Sequence, residues 1–322
     1  MGPHVLQYRY KPNPGRRAPP GQPLAGTEYL PLRGRPPVQW PGGARLAVWF
    51  CPNLLQFEFA PPDDPWLEAW SRLGTPDPLA YGRQEYGSRV GFWRMLDVLD
   101  KHALPTTAIL NPMVLQVYPA LARALAERGW DLAGHGFCNT RFPYDATEDE
   151  ERAYYRMIRR VAEELTGLRM AGMGGPGPQA STGATPHLLA EAGFLYATDY
   201  MCDDQPFPIR VRQGRLVAMP YAGELNDTAV IGAGLESDDF LDMIQRQAEV
   251  LLEEGGRVLC LTVHPHLMGQ PQRIGHLDAA LGFLRALPGA WFATGAEIAQ
   301  HYLAQHHAET LAWMDRRSPA SA

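Results

Sequence analysis

The stretch DLAGHGFCNTRF, residues 131–142, carries the first candidate for chemistry. His135 follows a short apolar run, and Asn139 stands four residues later. Metal hydrolases often have a second histidine at that spacing, because neutral imidazole is a common ligand of zinc. His135 therefore indicates either half of a metal site or a histidine that works as an acid or base without a metal.

Further candidates follow other apolar runs of the chain. His264 and His266 stand on either side of Pro265 directly after VLCLTV, and the proline restricts the turn that orients His264. Other carboxylate, amide and thiol groups at such positions are Cys51, Asn53, Glu58, Asp203, Asp204, Asn226 and Asp227. Two histidines with several carboxylates and amides would be sufficient for a hydrolytic site.

The elements that must position these groups alternate along the chain. Apolar runs at 44–50, 106–111 and 257–264 predict buried parallel strands. Helical patterns lie between them, one predicted to begin at Ser88 and another capped by Thr147 and Glu150. This alternation predicts an α/β fold, and the length of 322 residues favours a barrel. In such barrels the polar groups past the carboxyl ends of the strands form the active site.

Composition bounds the organisation of the chain. Residues 1–43 are rich in Pro, Gly and Arg and predict an extended arm, 44–308 a single catalytic domain, and 309–322 a tail. The net charge of −6 argues against nucleic acid or an anionic membrane as a partner. Four widely spaced cysteines, no signal peptide and no long apolar window predict a cytoplasmic protein with reduced thiols. We expect a small-molecule substrate, and the arm suggests a homo-oligomer.

Several segments, read in order, resemble a known family. They are WPGGARLAVWF, YGSRVGFWRMLDVLDKHALPTTAILN, GWDLAGHGF, LLAEAGFLYATDYMCDDQPF, PYAGELND and LTVHPHLMGQPQRIGHLDAALGFL. Together they resemble the polysaccharide deacetylase (NodB-homology) superfamily, and within it the metal-independent bacterial allantoinase branch. The resemblance implies a distorted (β/α) barrel of the NodB-like type with its site at the carboxyl-terminal mouth.

The resemblance also implies roles for site residues. Metal-dependent members of the superfamily use one Asp as base, and a second Asp with two His as metal ligands. The two Asp positions match Cys51 and Asn53, and the two His positions match His135 and Asn139. This set lacks the anionic ligand a divalent metal usually needs unless Glu58 moves in, so we expect neither a metal nor another cofactor. The family's catalytic acid histidine matches His264.

The resulting hypothesis is metal-independent opening of a C–N bond in a small cyclic ureide or imide. His264 and His135 would act as base and acid, and Asp203, Asp204 or Asp227 would hold an imidazole tautomer. The expected substrate-binding residues are Asn53, Glu58, Glu85, Tyr86, Arg89, Asn139, Asn226, Asp227 and His266. Two departures from the allantoinase pattern, a missing Arg in AGMGGPGPQAST and a missing acidic pair in CPNLLQFEF, argue against allantoin itself.

Three alternatives stay open at this point. One is a metal-dependent N-deacetylase acting on a sugar or a small amide. Another is catalysis by the thiol of Cys51 or Cys138 together with His135. The third is a ligand-binding descendant in which the chemistry was lost together with the metal site.

Overall fold

Parallel strands form a sheet that curls around an apolar interior. The computed structural model describes residues 27–61, 76–141, 146–175 and 183–317, so residues 1–26 of the expected arm, 176–182 of the glycine-rich segment and 318–322 lie outside it. The strands of the described residues are β1 Leu46–Leu54, β2 Thr107–Leu110, β3 Asp131–His135, β4 Met170–Gly174, β5 Tyr196–Ala197, β6 Phe207–Ile209, β7 Leu216–Ala218, β8 Arg257–Val263 and β9 Ala290–Phe292.

The strand order is β6-β7-β5-β4-β3-β2-β1-β8, with β9 also paired to β1. All pairings are parallel except that between β6 and β7. The free edge of β8 meets the other side of the curl through two backbone hydrogen bonds, Val258 N to Asp204 O (2.9 Å) and Thr262 N to Leu225 O (3.2 Å). The predicted distorted (β/α) barrel is confirmed.

Helices cover the outside of this sheet. They are α1 Pro78–Tyr86, α2 Phe92–His102, α3 Pro112–Val117, α4 Pro119–Arg128, α5 Glu148–Thr166, α6 Thr185–Glu191, α7 Asp227–Gly232, α8 Ser237–Glu254, α9 Pro265–Met268, α10 Ile274–Ala286, α11 Gly295–Gln305 and α12 His307–Arg317. The predicted capping box of Thr147 and Glu150 is present at the start of α5. In the described part of the chain, no helix is both long and apolar enough to cross a membrane.

Two helix boundaries differ from those predicted. Ser88 does not cap a new helix, because a π-helical turn, Gly87–Gly91, joins α1 to α2 without a break. Beyond residue 308 the chain continues as α12 through Arg317 rather than as an irregular tail. Burial explains this helix, since Thr310 and Met314 are covered and the Tyr302 hydroxyl donates to Thr310 Oγ1 at 3.1 Å.

Alternation along each strand separates two cores. On β1, Val48 and Phe50 pack outward against the helices, whereas Trp49 and Cys51 belong to the interior cluster. Successive side chains of a strand point to opposite faces of the sheet. Asn53 therefore continues the interior row of β1. His135 continues the interior row of β3 in the same way, and His264 follows the interior row of β8.

A buried polar network lies inside the barrel at the start of β3. The Asp131 carboxylate accepts hydrogen bonds from Thr107 Oγ1 (2.9 Å), Tyr196 OH (3.2 Å) and the backbone N of Ala296 (3.0 Å) at the first turn of α11. Burial raises the pKa of Asp131 to about 6, although the hydrogen bonds that it accepts work in the opposite direction. The network fixes α11 against the sheet.

Glycines allow the π-helical turn to approach α9 closely. A Cβ at Gly91 would overlap the carbonyl oxygen of Pro265, and one at Gly269 would overlap the same oxygen from the other side. A Cβ at Gly87 would lie 2.9 Å from the backbone N of His266. The backbone after β8, and with it the direction of His264, is therefore held between glycines.

Replacing Gly91 by Ala should destabilise the fold, because the new methyl group has no room against Pro265. We expect a loss of about 2 kcal/mol or more in the free energy of unfolding, measured by denaturant titration. Gly82→Ala is the control, since Gly82 lies in α1 with nothing within 4 Å of its Cβ position. It should gain about 0.5–1 kcal/mol from helix propensity. Equal effects of the two changes would contradict the close-packing argument.

Asp131 predicts a specific dependence of stability on pH. An unfolded Asp has a pKa near 3.9, so between about pH 4 and 6 the folded protein retains a proton that the unfolded chain has released. The stability of the natural protein relative to Asp131→Asn should therefore fall as pH rises through that window, by on the order of 3 kcal/mol. Asp100→Asn is the control, because Arg128 lowers the pKa of Asp100 and reverses the sign. A flat difference for Asp131→Asn across the window would refute the assignment.

Candidate active site

His264 and Asp227 form a buried pair at the mouth of the barrel. The His264 side chain places Nδ1 2.6 Å from Asp227 Oδ1, and its backbone N donates to Asp227 Oδ2 at 2.7 Å. His264 is 7% exposed and Asp227 0%. A carboxylate only accepts, so Nδ1 carries the proton of the neutral ring and Nε2 keeps its lone pair.

Local structure explains how this pair forms. Asn226 caps α7 through its side chain, which accepts from Thr228 N at 3.1 Å and places Asp227 in the first helical position. The backbone bridge between Asn226 and Thr262 then sets the start of α7 beside the end of β8. Asn226, predicted to bind substrate, has its side-chain oxygen engaged in the cap. The sequence predicts two roles for Asp227, binding the substrate and holding an imidazole tautomer. Its contact with His264 matches the second role.

His135 ends β3 on the same interior face. Its carbonyl oxygen accepts from Asn111 Nδ2, while Asn111 Oδ1 accepts from the backbone N of Gln56 at 2.9 Å. Burial, and secondarily the nearby His264, lowers the pKa of His135 to about 4. His135 is thus a neutral imidazole at neutral pH, and His264 is the charged neighbour that contributes to its lowered pKa. Asn111, fully buried, was not predicted from the sequence.

Asn53 and Asn139 each have a buried polar atom that finds no hydrogen-bond partner among the residues that the structure describes. The side-chain oxygen of Asn53 accepts from Tyr221 OH at 3.3 Å, and its Nδ2 is buried without a partner. The backbone N of Asn139 donates to Gln56 O at 2.9 Å, while Oδ1 is buried without a partner. Asn53 is 2% exposed and Asn139 8%. Buried polar atoms are usually satisfied, so these two indicate contacts with a ligand or water.

Glu58 is committed to a neighbouring arginine. Its carboxylate pairs with Arg141 Nη2 at 2.7 Å and Nε at 2.9 Å, and it accepts from Thr140 Oγ1 at 2.8 Å. These contacts tie the loop after β1 to the loop after β3. Glu58 therefore supports the loop that carries Asn139, and nothing in its contacts directs the carboxylate toward the histidines.

Asp203 and Asp204 are not at this mouth, which corrects their predicted catalytic role. Asp203 forms an ion pair with Arg35 and accepts from Gln205 N at 2.9 Å. The Asp204 carbonyl accepts from Val258, at the beginning of β8, whereas His264 follows its end. The physical reason is that the loop after β5 packs against the start of β8, where Gln205 Nε2 also donates to the carbonyl of Gly256 at 2.8 Å.

The predicted substrate-binding group at the end of α1 lies close to the segment that follows β8, since a Cβ at Gly87 would come within 2.9 Å of the backbone N of His266. The Arg89 side chain is 70% exposed and lies 3.9 Å from Glu85. Glu85 in turn approaches Tyr118, whose pKa burial and this carboxylate raise to about 12. Tyr86 OH accepts from Arg94 Nη1 at 2.9 Å. None of these contacts reaches the histidine pair, and the prediction that Glu85, Tyr86 and Arg89 bind substrate stays a prediction.

His266 does lie beside the pair. The centroid of its ring is 5.5 Å from that of His264, in an edge-on arrangement. Burial lowers the pKa of His266 to about 3, with contributions from His264 and from Arg83 on α1. His266 is therefore a neutral wall of the mouth at physiological pH. Arg83 is a further cation near the mouth that sequence reasoning missed.

The donor set does not fit a divalent metal. Within the described ranges, no three His, Cys, Asp or Glu side chains come together as a possible metal site. The oxygen of Asn53, its ligating atom, already accepts from Tyr221, and the atom left free is an N–H donor that cannot bind a cation. Glu58 is bound to Arg141. The positions that correspond to metal ligands thus carry groups suited to a neutral polar molecule.

The thiols lie beneath the site rather than in it. Cys51 is 0% exposed with its Sγ 3.8 Å from that of Cys260, and burial raises the pKa of Cys51 well above the usual range of a thiol. Cys138 donates to the carbonyl of Gln56 at 3.3 Å, and burial raises its pKa too. A reactive cysteine needs an exposed thiolate, and neither residue provides one.

Comparison with known proteins finds relatives named as polysaccharide deacetylases. No protein-family model matches the chain. A Schizosaccharomyces pombe protein classed by name with the polysaccharide deacetylases is 27% identical over 324 residues, covering 88% of this chain and 97% of the relative. A Mycobacterium smegmatis crystal structure with a polysaccharide deacetylase name superposes with a TM-score of 0.71 at 29% identity, covering 84% and 94% of the two chains.

A crystal structure described as Puue allantoinase superposes with a TM-score of 0.74 at 26% identity, covering 90% of this chain and 99% of that one. These similarities span nearly the full length of each relative, and together with the barrel topology they agree with the predicted resemblance. In sequence and in fold the chain is similar to proteins of the polysaccharide deacetylase (NodB-homology) superfamily.

Burial of the thiols predicts which cysteine reacts. In the native protein iodoacetamide should label the exposed Cys202 and leave Cys51 and Cys138 unmodified, as read by peptide mass spectrometry. Labelling after unfolding in denaturant, where every thiol is accessible, is the control. Native labelling of Cys51 together with loss of activity would instead favour the thiol mechanism.

Proposed function

We propose that the protein is a metal-independent hydrolase that opens a C–N bond in a small cyclic ureide or imide. Similarity to polysaccharide deacetylases and to an allantoinase supports a hydrolase of carbon–nitrogen bonds other than peptide bonds. The observation that carries the finer proposal is the buried His264–Asp227 pair, which engages Nδ1 of His264, beside positions that hold amides instead of metal ligands. The allantoinase among the structural neighbours supports the substrate class.

The mechanism follows from that pair. His264 Nε2 takes a proton from water as the water oxygen bonds to the ring carbonyl carbon, and the carbonyl becomes an oxyanion. The C–N bond then breaks, and the leaving nitrogen takes the proton from the His264 imidazolium, which gives a carboxylic acid and a free N–H group. Asp227 holds the ring orientation in both steps and offsets the positive charge that forms on it.

His135 has a different part in this scheme. A histidine whose pKa lies near 4 is unprotonated at neutral pH, so it cannot be the acid that protonates the leaving nitrogen. As a neutral ring it can hold the attacking water or a carbonyl oxygen by a hydrogen bond. The sequence hypothesis divided the base and acid between two histidines, whereas the geometry favours His264 for both steps.

Metal-dependent N-deacetylation of a sugar or small amide is the second candidate. The deacetylase names of the Schizosaccharomyces pombe and Mycobacterium smegmatis relatives favour it. It would require a donor set different from the one described, with Glu58 released from Arg141. Metal analysis and chelation distinguish the two candidates.

The proposal is tested with a panel of hydantoins, cyclic imides, allantoin and N-acetyl sugars, assayed with and without a chelator. Ring substrates should turn over equally in both conditions. His264→Ala should lower kcat by about 10²–10⁴-fold. Asp227→Asn should lower it by up to about 10⁴-fold, because the amide favours the wrong tautomer.

His276→Ala is the matched control for these variants, since His276 lies on α10 and pairs with Asp238 at 2.9 Å, outside the site. It should retain full turnover. Unchanged turnover in His264→Ala would remove the proposed mechanism. Activity lost with chelator and restored by zinc or manganese, on N-acetyl sugars alone, would establish the second candidate instead.

A further inference from the structure

Tyr221 fixes the direction in which the Asn53 amide points. The Tyr221 hydroxyl donates to Asn53 Oδ1 at 3.3 Å, and the tyrosine ring packs edge-on against Trp49 of the interior core, with centroids 6.4 Å apart. An asparagine amide otherwise has two orientations of similar shape. With the oxygen held by a hydroxyl donor, the NH₂ group is the part left free, and it is buried.

The loop after β3 holds the backbone at Asn139 in place. Its backbone N and the Cys138 thiol both donate to the carbonyl of Gln56, on the segment that follows β1. The neighbouring Thr140 and Arg141 bind Glu58 on the same segment. Asn139 is thus anchored on both sides, and its Oδ1 remains a buried acceptor without a partner.

A free donor and a free acceptor at one mouth require a ligand with the complementary pair. A buried polar group left unsatisfied weakens binding, so a ligand that satisfies both groups is favoured over one that satisfies neither. A secondary amide offers a C=O acceptor and an N–H donor. In the usual trans amide these two groups point in opposite directions, whereas a small ring forces the cis form and places them on the same edge.

We propose that Asn53 and Asn139 read the C=O and N–H edge of a cyclic cis amide, with Tyr221 as the positioning residue for Asn53. This inference rests on the proposed function and adds to it the groups that select the substrate. Asn53 Nδ2 donates to the carbonyl that is attacked, so the same hydrogen bond stabilises the oxyanion as charge develops. Asn139 Oδ1 accepts from the ring N–H. An acyclic N-acetyl group cannot satisfy both residues at once.

Succinimide and N-methylsuccinimide test whether Asn139 recognises the ring N–H, because the two compounds differ only at that nitrogen. Rates are divided by the uncatalysed hydrolysis rate of each compound, which removes their intrinsic difference in reactivity. The natural protein should prefer succinimide by about tenfold to hundredfold in kcat/KM, the range expected for one buried hydrogen bond. Asn139→Ala should bring that ratio close to one. Asn53→Ala should lower kcat for both compounds by about 10²–10³-fold and leave the ratio unchanged.

Tyr221→Phe separates positioning from a structural role. It should lower kcat for both compounds with little change in KM, because an unfixed amide donates to the oxyanion only part of the time. Tyr302→Phe is the matched control. It removes a buried hydroxyl on α11 that donates a hydrogen bond to Thr310 on α12. The two variants should have similar melting temperatures, and only Tyr221→Phe should lose kcat. Equal kcat values for the Tyr221→Phe and Tyr302→Phe variants would contradict the positioning role of Tyr221.

Binding to the His264→Ala variant keeps the two proposals distinguishable. Calorimetric titration should give tighter binding of succinimide than of N-methylsuccinimide, and Asn139→Ala in that background should abolish the difference. Such N–H-dependent binding without any turnover by the natural protein would refute the proposed function alone. An N–H to N-methyl ratio that Asn139→Ala leaves unchanged, in turnover or in binding, would overturn the inference while ring opening could still stand.

Discussion

The alternation of side chains along parallel strands is the constraint on which the site depends. Once the sheet curls, every second residue of a strand must fill its interior, and the last residue of each interior row meets solvent at the mouth. On β1, β3 and β8 those last positions are Asn53, His135 and His264. Below them the rows are apolar or thiol-bearing, as at Cys51, Ala133 and Cys260. The core therefore aims these three polar groups at a common space without dedicated loops.

The electrostatic character of that space follows from what surrounds it. Desolvation keeps His135 and His266 neutral, with pKa values lowered to about 4 and about 3, and burial raises the pKa of Cys51. Asp227 adds a carboxylate that is turned to His264. A mouth lined by neutral imidazoles and amides discriminates by the direction of hydrogen bonds more than by charge. This suits small uncharged ring compounds better than a strongly hydrated cation.

Much of the fold could be predicted from sequence, because apolar runs and capping patterns are local signals. The strands at 44–50 and 257–264, the capping box of Thr147 and the two histidines at strand ends all follow from neighbouring residues. The predictions that failed depend on where residues lie in the folded protein rather than on their neighbours in sequence. Asp203 and Asp204 follow a strand in sequence, but a loop takes them to the other end of the barrel. No periodicity in GSRVG marks Gly87–Gly91 as a π-helical turn.

Two of the residues that sequence reasoning missed, Asn111 and Tyr221, share one property. They act through contacts with residues more than fifty positions away, Gln56 and Asn53 respectively. Such pairings depend on strand order and register, which a single sequence does not specify. Asp227 is one of three carboxylates predicted to hold an imidazole tautomer. The bridge between Asn226 and Thr262 brings Asp227, rather than the other two, beside His264. The hydrogen bond between Tyr221 and Asn53 likewise depends on the curvature of the sheet, because it joins the segment after β7 to the end of β1.

The π-helical turn has a consequence for how this mouth tolerates insertions and deletions. A π turn contains about one residue more than an α turn, and each residue of an α-helix advances the chain by roughly 100° about the axis. Removing one residue from Gly87–Gly91 would convert the turn to regular helix and rotate α1 by that angle relative to α2. Arg83 would then leave the neighbourhood of His266. The length of this five-residue segment, more than its composition, sets which face of α1 forms the rim of the mouth.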